Sequence, residues 1–356
     1  IYDYLFNAYK YGYKILRELV ESYSPSGCED SVQKVLYKNY KTSDNHFVVD
    51  NRGAMTAIYN ENNDYKVMLI AHADEISLVV NGYNEDGTLK VDSNGGIRTK
   101  LYVGQRVVII SNDKKYYGVM GYNSDMLKKE KLEVSDLFVD LGFKDSKEAK
   151  SNIELGSFVI HNENYLELQN DMICARAFDD RLGDYIIHEA AKKAYKDTNA
   201  QILVTTSTGE ETTGRGAYSS AMMMKPDLCI VVDVTFSGDY PNANIENDVA
   251  LGKGGVICRG SVINRKLNEM LVETAKELNE PLQYEVWQGR TGTDGDTILK
   301  TNIDTPIVLF SIPLRYMHSP VEVASKYDID SMIKVLSSFL KKINKNISLA
   351  PYKLEE

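Results

Sequence analysis

The sequence predicts an α/β fold with a mixed, mainly parallel sheet flanked by helices, because short apolar runs alternate with helical patterns along much of the chain. Four runs are continuous and rich in Val, Ile and Leu, as strands covered on both faces must be. They span residues 67–71, 202–206, 228–234 and 306–312. Helical spacing of apolar residues begins near Leu182 and Leu267. It is clearest in a C-terminal stripe of Ile329, Met332, Ile333, Leu336, Leu340 and Ile343.

Residues 77–163 break this rhythm and predict a small β-rich domain inserted into the α/β domain. Turn signals and β-like pieces follow one another in this region, at Asn81-Gly82, Asp86-Gly87, 105–110 and 116–120. The region holds too many Val, Ile and Tyr residues for a disordered linker. A length of 356 residues suits two domains. We therefore expect a discontinuous catalytic domain, 1–76 and 164–356, interrupted by the insertion at 77–163.

The composition argues against several kinds of partner. A net charge of −10 disfavours a nucleic-acid-binding face, which needs clustered Lys and Arg. The sequence contains no run of about 18 apolar residues, so we expect no membrane-spanning helix. The N-terminal segment also lacks the continuous apolar stretch of a signal peptide. The four cysteines have no C-x-x-C spacing, so we interpret them as buried reduced thiols. We expect a cytoplasmic protein without nucleic-acid or membrane partners.

Acidic residues and histidines occur where the four predicted strands end. In strand order, these residues are His72 and Asp74, then Glu210 and Glu211, then Asp233, then His318. Open α/β sheets form their ligand crevice at the carboxyl ends of the strands. Asp179 lies in the segment AFDDRLG, just before a predicted helix, so a loop can carry it to the same edge. The pattern predicts that these side chains converge.

Two imidazoles and three carboxylates that converge form a ligand shell suited to two divalent ions. Neutral imidazole nitrogen and carboxylate oxygen favour Zn²⁺, with Co²⁺ or Mn²⁺ as alternatives. Ions about 3.5–4 Å apart need one carboxylate shared between them. The residues meet this need with His72, Asp233 and shared Asp179 for one ion, and His318, Glu211 and Asp179 for the other.

Glu210 is the candidate general base, because its neighbour Glu211 can bind metal while Glu210 stays free beside a bridging water. A bound cation lowers the pKa of water from 15.7 towards about 7, so hydroxide becomes available at neutral pH. Asp74 lies two residues from His72 and can therefore orient that imidazole. Glu210 is thus predicted to transfer protons, and Asp74 is predicted to orient the imidazole of His72.

Each of these residues has a structural alternative. Acid pairs are common on solvated faces, and a single histidine after a strand is more often a satisfied polar residue than a ligand. The conjunction of five ligand-type residues at one edge, with a spare acid beside them, favours the metal site. The remaining histidines, His46, His161 and His188, keep the structural interpretation. No phosphate-binding G-x-x-x-x-G-K-[ST] pattern and no G-x-S-x-G elbow occurs, so we expect no nucleotide cofactor and no serine nucleophile.

Nine segments, in order along nearly the whole chain, carry a family resemblance. They are SPSGCED, AHADEI, DLFVDLGFKDSKEA, AFDDRLG, GEETTGRGA, DVTFSGDYP, LGKGG, GTDGD and RYMHSPVEV. The chain resembles family forty-two of the metallopeptidases, the glutamyl, deblocking and tetrahedral aminopeptidases. The resemblance implies a catalytic domain of the zinc-peptidase type with two metal ions, interrupted by a small β-rich dimerisation domain. It also implies a homo-oligomer built from dimers, often a hollow tetrahedral dodecamer.

The family's functional residues carry over position by position. Its metal ligands match His72, Asp179, Glu211, Asp233 and His318. Its general base matches Glu210 and its supporting aspartate matches Asp74. The choice of Asp179 over Asp180 as the bridging residue rests on this resemblance. The departures, Ala and Ser in AHADEISLVV and Gly in GTDGD, concern the shape of the pocket because none of them is a ligand.

The leading functional hypothesis is an aminopeptidase that removes single N-terminal residues from short peptides. A di-metal deacylase or carboxypeptidase-type amidohydrolase is the main alternative, because related metallohydrolases share this ligand set. The hypothesis of a glycoside hydrolase rests only on the paired acids and on the endoglucanase label of some family members. Such enzymes need no metal, so metal dependence would distinguish them. A non-catalytic scaffold is disfavoured because no ligand position is lost. Arg290, Thr293 and Asp294 are candidates for the pocket lining, with a structural role in the loop as an equal alternative, and the preferred N-terminal residue is left open.

Overall fold

The structure, a computed structural model, describes residues 13–162, 165–243, 248–352 and 354. The first twelve residues of the expected catalytic domain and the expected domain boundary at 163–164 lie outside the described residues. The strands are β1 (Asn45–Val49), β2 (Met55–Tyr59), β3 (Lys66–His72), β4 (Ser77–Tyr83), β5 (Leu89–Asn94), β6 (Arg106–Ser111), β7 (Lys114–Met120), β8 (Phe138–Asp140), β9 (Phe158–His161), β10 (Leu166–Glu167), β11 (Met172–Ala175), β12 (Gln201–Ser207), β13 (Leu228–Phe236), β14 (Val256–Gly260), β15 (Gln283–Trp287), β16 (Ile307–Leu314) and β17 (Glu322–Ser325).

The α-helices lie mainly in the second half of the chain. Residues 13–20 are helical and are called α1. The helices that follow are α2 (Asp30–Tyr40), α3 (Ser124–Lys128), α4 (Ser146–Asn152), α5 (Phe178–Ala194), α6 (Arg215–Met224), α7 (Arg265–Glu277), α8 (Asp294–Ile298) and α9 (Lys326–Lys342).

The predicted α/β fold class is confirmed by an eight-stranded sheet of order β1-β2-β12-β3-β13-β16-β14-β15. The four strands at its centre, β12, β3, β13 and β16, run parallel to one another and correspond to the four predicted apolar runs. Antiparallel pairs on both sides of this centre, β1–β2, β2–β12 and β14–β16, make the sheet mixed. The central strands are buried along nearly their whole length, which explains their continuous apolar sequence.

Apolar clusters cover both faces of this sheet. Neighbouring residues of β3 alternate between them, Leu69 in the larger cluster and Ile70 in the smaller, because successive side chains of a strand point to opposite faces. The larger cluster includes side chains from α5, α7 and α9, and the smaller includes side chains from α6 and α8. The predicted C-terminal stripe is buried within α9, although Ile343 lies just past the last helical residue.

The inserted region forms a closed antiparallel barrel of order β4-β5-β8-β7-β6-β9. It has an apolar core of its own, with Leu78, Val107 and Val159 among its fully buried residues. The predicted turn at Asp86-Gly87 joins β4 to β5. Gly87 has a φ of +89° there, and an added Cβ would lie 2.5 Å from the carbonyl oxygen of Phe143. The inserted small β-rich unit expected from the sequence is therefore present.

Two local predictions are wrong. Asn81-Gly82 is not a turn: both residues lie inside β4, where the register with β5 shifts between Val80 and Gly82 as at a β-bulge. Cross-strand pairing has overridden the local turn signal. Among the cysteines, Cys174, Cys229 and Cys258 are buried as expected, but Cys28 is half-buried.

Among the described residues, no helix is both long and apolar enough to cross a membrane.

Gly216 provides a test of this packing, because it lies in the first turn of α6 against the loop that follows β12. A Cβ at this position would lie 2.3 Å from the backbone nitrogen of Thr208. We expect Gly216→Ala to lower the free energy of unfolding by about 1–3 kcal/mol, as overpacking of a close contact does. Urea denaturation followed by circular dichroism measures the change. The control is Met223→Ala on the exposed side of the same helix, where the native side chain is 49% exposed. Equal unfolding midpoints for the two variants would contradict the packing argument.

Candidate metal centre

The parallel strands at the centre of the sheet end at one edge, where the predicted site residues meet. His72 is the last residue of β3. The pairing of Val231 with Ile70 puts Asp233 of β13 level with His72. Nε2 of His72 and Oδ1 of Asp233 are 3.9 Å apart. Strand register therefore brings the first histidine and the first unshared acid together.

Asp179 lies between the two predicted histidine ligands. Its Oδ1 is 3.0 Å from Nε2 of His72, and its Oδ2 is 3.2 Å from Nε2 of His318. The residue is at the start of α5, where its φ and ψ of −78° and 104° depart from helical values. The Asp179–Asp180 peptide bond is cis. One carboxylate thus faces both imidazoles, which is the arrangement that a bridging ligand requires.

The donor atoms fall into two groups that share Asp179. In each group, one donor atom from every residue lies within 4.8 Å of the others; the groups are His72, Asp179 and Asp233, and Asp179, Glu211 and His318. These are the two ligand sets expected from the sequence. Imidazole nitrogen and carboxylate oxygen are donors that Zn²⁺, Co²⁺ and Mn²⁺ accept, so the residues fit divalent cations chemically.

Asp74 is fully buried and holds the loop that carries the two adjacent glutamates. Its Oδ1 accepts a hydrogen bond of 3.0 Å from the backbone N–H of Glu210, and its Oδ2 accepts one of 3.2 Å from that of Glu211. Oδ1 also lies 3.4 Å from Nδ1 of His72, and the hydroxyl of Ser26 donates to Oδ2. The side chain therefore contacts both the imidazole that it was expected to orient and the loop of the candidate base.

The surroundings of the two histidines leave the same nitrogen of each ring facing the carboxylates. Nδ1 of His72 lies 3.2 Å from the carbonyl oxygen of Asp74, and Nδ1 of His318 lies 2.9 Å from that of Gly96. A carbonyl oxygen only accepts, so each Nδ1 donates its proton there. Nε2 of each ring is therefore the nitrogen that faces the carboxylates and that would bind a cation after losing its own proton.

The site concentrates negative charge in a buried space. Burial, followed by the charge of nearby Asp179, raises the pKa of Glu211. Burial also raises the pKa of Asp233 well above its ordinary value. Although burial alone lowers the pKa of His318, hydrogen bonds to Asp179 and Glu211 raise it to about 11. Carboxylates crowded in this way favour a bound cation, because a positive charge relieves their repulsion.

Asp180, the alternative bridging residue, belongs to neither donor group. It is fully buried, its Oδ1 accepts from the backbone N–H of Gly183 at 3.0 Å, and its Oδ2 accepts from that of His72 at 3.4 Å. Its carboxylate therefore supports the first turn of α5 and the end of β3. Asp179 is the residue of the pair that faces both histidines.

Glu322 is a supporting residue that the sequence interpretation missed. Its Oε2 accepts a hydrogen bond of 3.1 Å from the backbone N–H of Asp179, and its Oε1 accepts one of 2.8 Å from that of His318. Burial, together with the charge of Asp179, raises the pKa of Glu322 to about 8. One carboxylate thus positions the backbone of two candidate ligands. The available signal was an acid within the apolar segment SPVEVAS, four residues after His318.

A second missed residue, Glu75, is the centre of a buried ion-pair network. Its carboxylate contacts the guanidinium of Arg176, and its Oε1 lies 3.3 Å from Nη2 of Arg181. Nη1 of Arg181 in turn donates to the carbonyl oxygen of Ala73 at 2.6 Å. The network fixes the segment between β3 and β4, which carries Asp74.

The candidate ligands line one open cavity of about 470 Å³. Glu210, Arg290 and Thr293 also belong to its wall. Asp294 is not part of this wall: it is buried, and its carboxylate accepts from the hydroxyl of Ser207, which agrees with the structural alternative. The cavity places a substrate-sized space directly against both donor groups.

The three remaining histidines make contacts outside the two donor groups. His46 lies near the surface, with Nδ1 3.4 Å from Glu61. The ring of His161 stacks on Tyr102 with a centroid separation of 4.0 Å, and that of His188 stacks on Tyr40 at 4.4 Å. Burial lowers the pKa of both stacked histidines to about 3, so they are neutral packing groups.

Known proteins share this architecture and sequence. The sequence profile of the M42 glutamyl aminopeptidase family matches residues 53–335. The lysyl aminopeptidase of Pyrococcus furiosus is 30% identical over 93% of this chain and 97% of its own length. The TET aminopeptidase of a marine sediment archaeon of the Thaumarchaeota superposes with a TM-score of 0.88 and 26% identity, covering 96% of this chain and 98% of its own.

A third protein is the TET1 peptidase of Pyrococcus horikoshii, which can assemble into a tetrahedron or a large octahedral shell. It is 23% identical to this chain and superposes with a TM-score of 0.82. The match covers 93% of this chain and 100% of the TET1 chain. At that identity it supports the fold alone. The profile match covers well over half of the 356 residues. The predicted resemblance and the predicted enzyme class, a metallo-aminopeptidase, are thereby confirmed: the chain belongs to the M42 glutamyl aminopeptidase family.

Proposed function

We propose that this aminopeptidase removes single N-terminal residues from short peptides at two divalent cations, with Zn²⁺ favoured over Co²⁺ or Mn²⁺. One cation would be held by His72, Asp179 and Asp233, and the other by Asp179, Glu211 and His318. The observation that carries the proposal is the Asp179 carboxylate, whose two oxygens each lie within 3.2 Å of a different imidazole. When bound, such cations lower the pKa of water and polarise the scissile carbonyl.

Glu210 is the proposed general base and acid. It lines the cavity beside the donor groups, and its backbone is held by Asp74 at 3.0 Å. Burial raises the pKa of Glu210 well above its ordinary value. A carboxylate with a raised pKa accepts a proton more readily near neutral pH. Glu210 would take a proton from the attacking water and deliver it to the amine that leaves.

The charge of the cavity favours an aminopeptidase over a carboxypeptidase. Its wall beside the donor groups holds the carboxylates of Glu210 and Glu211, which attract the ammonium group of a free N-terminus and repel a C-terminal carboxylate. Arg290, the cation of this wall, has a side chain that is 80% exposed and lies 3.6 Å from Asp296. An N-acyl amino acid would present no ammonium group to these acids, so deacylation is the weaker alternative.

The first prediction concerns the base. Glu210→Gln should lower kcat by about 10²- to 10⁴-fold on aminoacyl-nitroanilides, because the amide cannot accept the proton. Its metal content, measured by atomic emission, should stay at the wild-type value. Glu133→Gln, an exposed change in the barrel, is the matched control. A Glu210→Gln variant that binds metal and keeps full turnover would contradict the assigned role. Equal turnover of N-acylated and free-amine peptides would favour the deacylase.

The second prediction concerns metal removal. EDTA should abolish turnover and Zn²⁺ or Co²⁺ should restore it, with two ions bound per chain. Asp179→Asn should reduce the bound metal below one ion per chain, because both donor groups use this carboxylate. The control is Asp125→Asn on an exposed helix of the barrel. A variant that retains both ions would show that Asp179 does not bridge them.

We also propose that residues 77–163 act as a dimerisation domain inserted into a catalytic domain of 1–76 and 164–356, and that dimers build a larger shell such as a tetrahedral dodecamer. The barrel exposes large apolar side chains close together in sequence, namely Tyr117 (68% exposed), Val119 (46%), Tyr122 (60%) and Leu127 (64%). Exposed apolar patches mark association surfaces. The assembly described for the TET1 peptidase of Pyrococcus horikoshii agrees with this proposal. A cytoplasmic location stays a prediction, and the buried thiols Cys229 and Cys258 suit such a reducing compartment.

The third prediction tests this surface. The double variant Tyr117→Glu/Leu127→Glu should have a smaller mass than the wild type in size-exclusion chromatography with light scattering, because buried charges destabilise an apolar interface. Val49→Glu replaces an equally exposed residue of β1, 65% exposed, and should leave the mass unchanged. A wild-type mass for the double variant would place the interface elsewhere.

A further inference from the structure

Glu285 is a buried carboxylate of the cavity wall with no part in either donor group. It lies on β15, is 4% exposed, and lines the same cavity as the candidate ligands. Its Oε1 accepts a hydrogen bond of 2.8 Å from the hydroxyl of Ser311, and its Oε2 accepts one from the hydroxyl of Thr235. These partners are neutral.

Two basic residues near Glu285, Arg290 five residues along the chain and Arg259 on the neighbouring strand β14, are engaged elsewhere. Arg290 lies 3.6 Å from Asp296 with its side chain 80% exposed, and the guanidinium of Arg259 stacks over the ring of Tyr284 at 4.1 Å. Two hydroxyl donors leave the remaining lone pairs of the carboxylate available. A buried carboxylate without a cation is unfavourable, so a positively charged ligand group in the cavity would gain from meeting Glu285.

Strand register sets the distance between Glu285 and the metal centre. Ser311, which bonds to Glu285, is the direct partner of Asp233 across β13 and β16. Thr235, the other partner, lies two residues beyond Asp233 on β13 and so on the same face of that strand. Two residues along a strand span about 7 Å. Glu285 therefore lies roughly one long side chain away from the candidate ligands.

The cavity wall also contains apolar side chains, namely Phe236, Trp287, Leu309 and Met317. Such a surface suits the hydrocarbon stem of a long basic side chain, which packs against apolar groups while its charged end reaches a polar partner. The cavity thus combines apolar surface with a buried carboxylate, a combination that suits the four-carbon stem and the ammonium group of lysine.

We propose that Glu285 determines specificity for the N-terminal side chain of the substrate, and that the preferred substrates are peptides beginning with Lys or Arg. This inference rests on the proposed aminopeptidase function. A role in holding the α-amine is disfavoured, because the α-amine is separated from the scissile carbonyl by one carbon and must lie beside the candidate ligands. Glu285 binds instead the charged end of the side chain.

The wild-type enzyme gives the first test. We expect its kcat/KM for Lys- and Arg-nitroanilides to exceed that for Met-nitroanilide, which has an uncharged side chain of similar length, by roughly 10- to 100-fold. Leu- and Glu-nitroanilides complete the panel. A preference for the neutral or acidic substrates would overturn the inference and leave the proposed function standing. Absence of turnover on every substrate, with metal bound, would overturn both.

The variant Glu285→Gln gives the second test, since it keeps the size of the side chain and an acceptor for the hydroxyls. The ratio of kcat/KM for Lys to that for Met should fall by roughly 10- to 100-fold, with the change mainly in KM. If Glu285 served only to hydrogen-bond Ser311 and Thr235, the variant would lower kcat/KM for the Lys and Met substrates equally. An unchanged ratio would therefore overturn the inference. Thr235→Val removes one hydrogen bond to Glu285 but keeps the charge of its carboxylate. The Lys-to-Met ratio of kcat/KM should therefore stay high in this variant. Glu61→Gln, a surface change, is the matched control.

Discussion

The site depends on one electrostatic constraint: several carboxylates are buried at the same edge of the sheet with two imidazoles between them. Asp179, Glu211 and Asp233 all line one cavity, and their side chains are only 7%, 7% and 8% exposed. Such a concentration of like charge is unfavourable by itself. It can persist only where the surrounding fold holds each group in place and where cations compensate the charge. The stability of the scaffold and the affinity for metal are therefore linked.

The fold holds these groups mainly through backbone hydrogen bonds to a second set of acids. Asp74 accepts from the N–H groups of two consecutive residues in the loop after β12. Glu322 accepts from the N–H groups of Asp179 and His318, which are far apart in sequence. Each supporting carboxylate is fully or almost fully buried. Because these bonds constrain the backbone as well as the side chains, they restrict the positions that the donor groups can take, which lowers the entropy lost on binding.

Much of the fold and the site could be predicted because it follows from local patterns. Strands buried on both faces have continuous apolar sequences, so the central strands were identifiable, and the carboxyl ends of those strands indicated the candidate ligands. Edge strands such as β15, which exposes Tyr284 and Val286, lack that signal. Glu322 escaped prediction because its partner Asp179 is 143 residues away. The turn predicted at Asn81-Gly82 is absent because the pairing of β4 with β5 outweighs the turn preference of these two residues.

The contact between His318 and Gly96 ties the barrel to the chemistry of the sheet. Gly96 follows β5, the second strand of the barrel, and its carbonyl oxygen orients the imidazole across 222 residues of sequence. A Cβ on Gly96 would lie 3.2 Å from the ring of His318, so a side chain there would displace the ring by a few tenths of an ångström. A change in the loop after β5 would therefore alter the position of a candidate ligand on the sheet, although the two belong to different units of the fold.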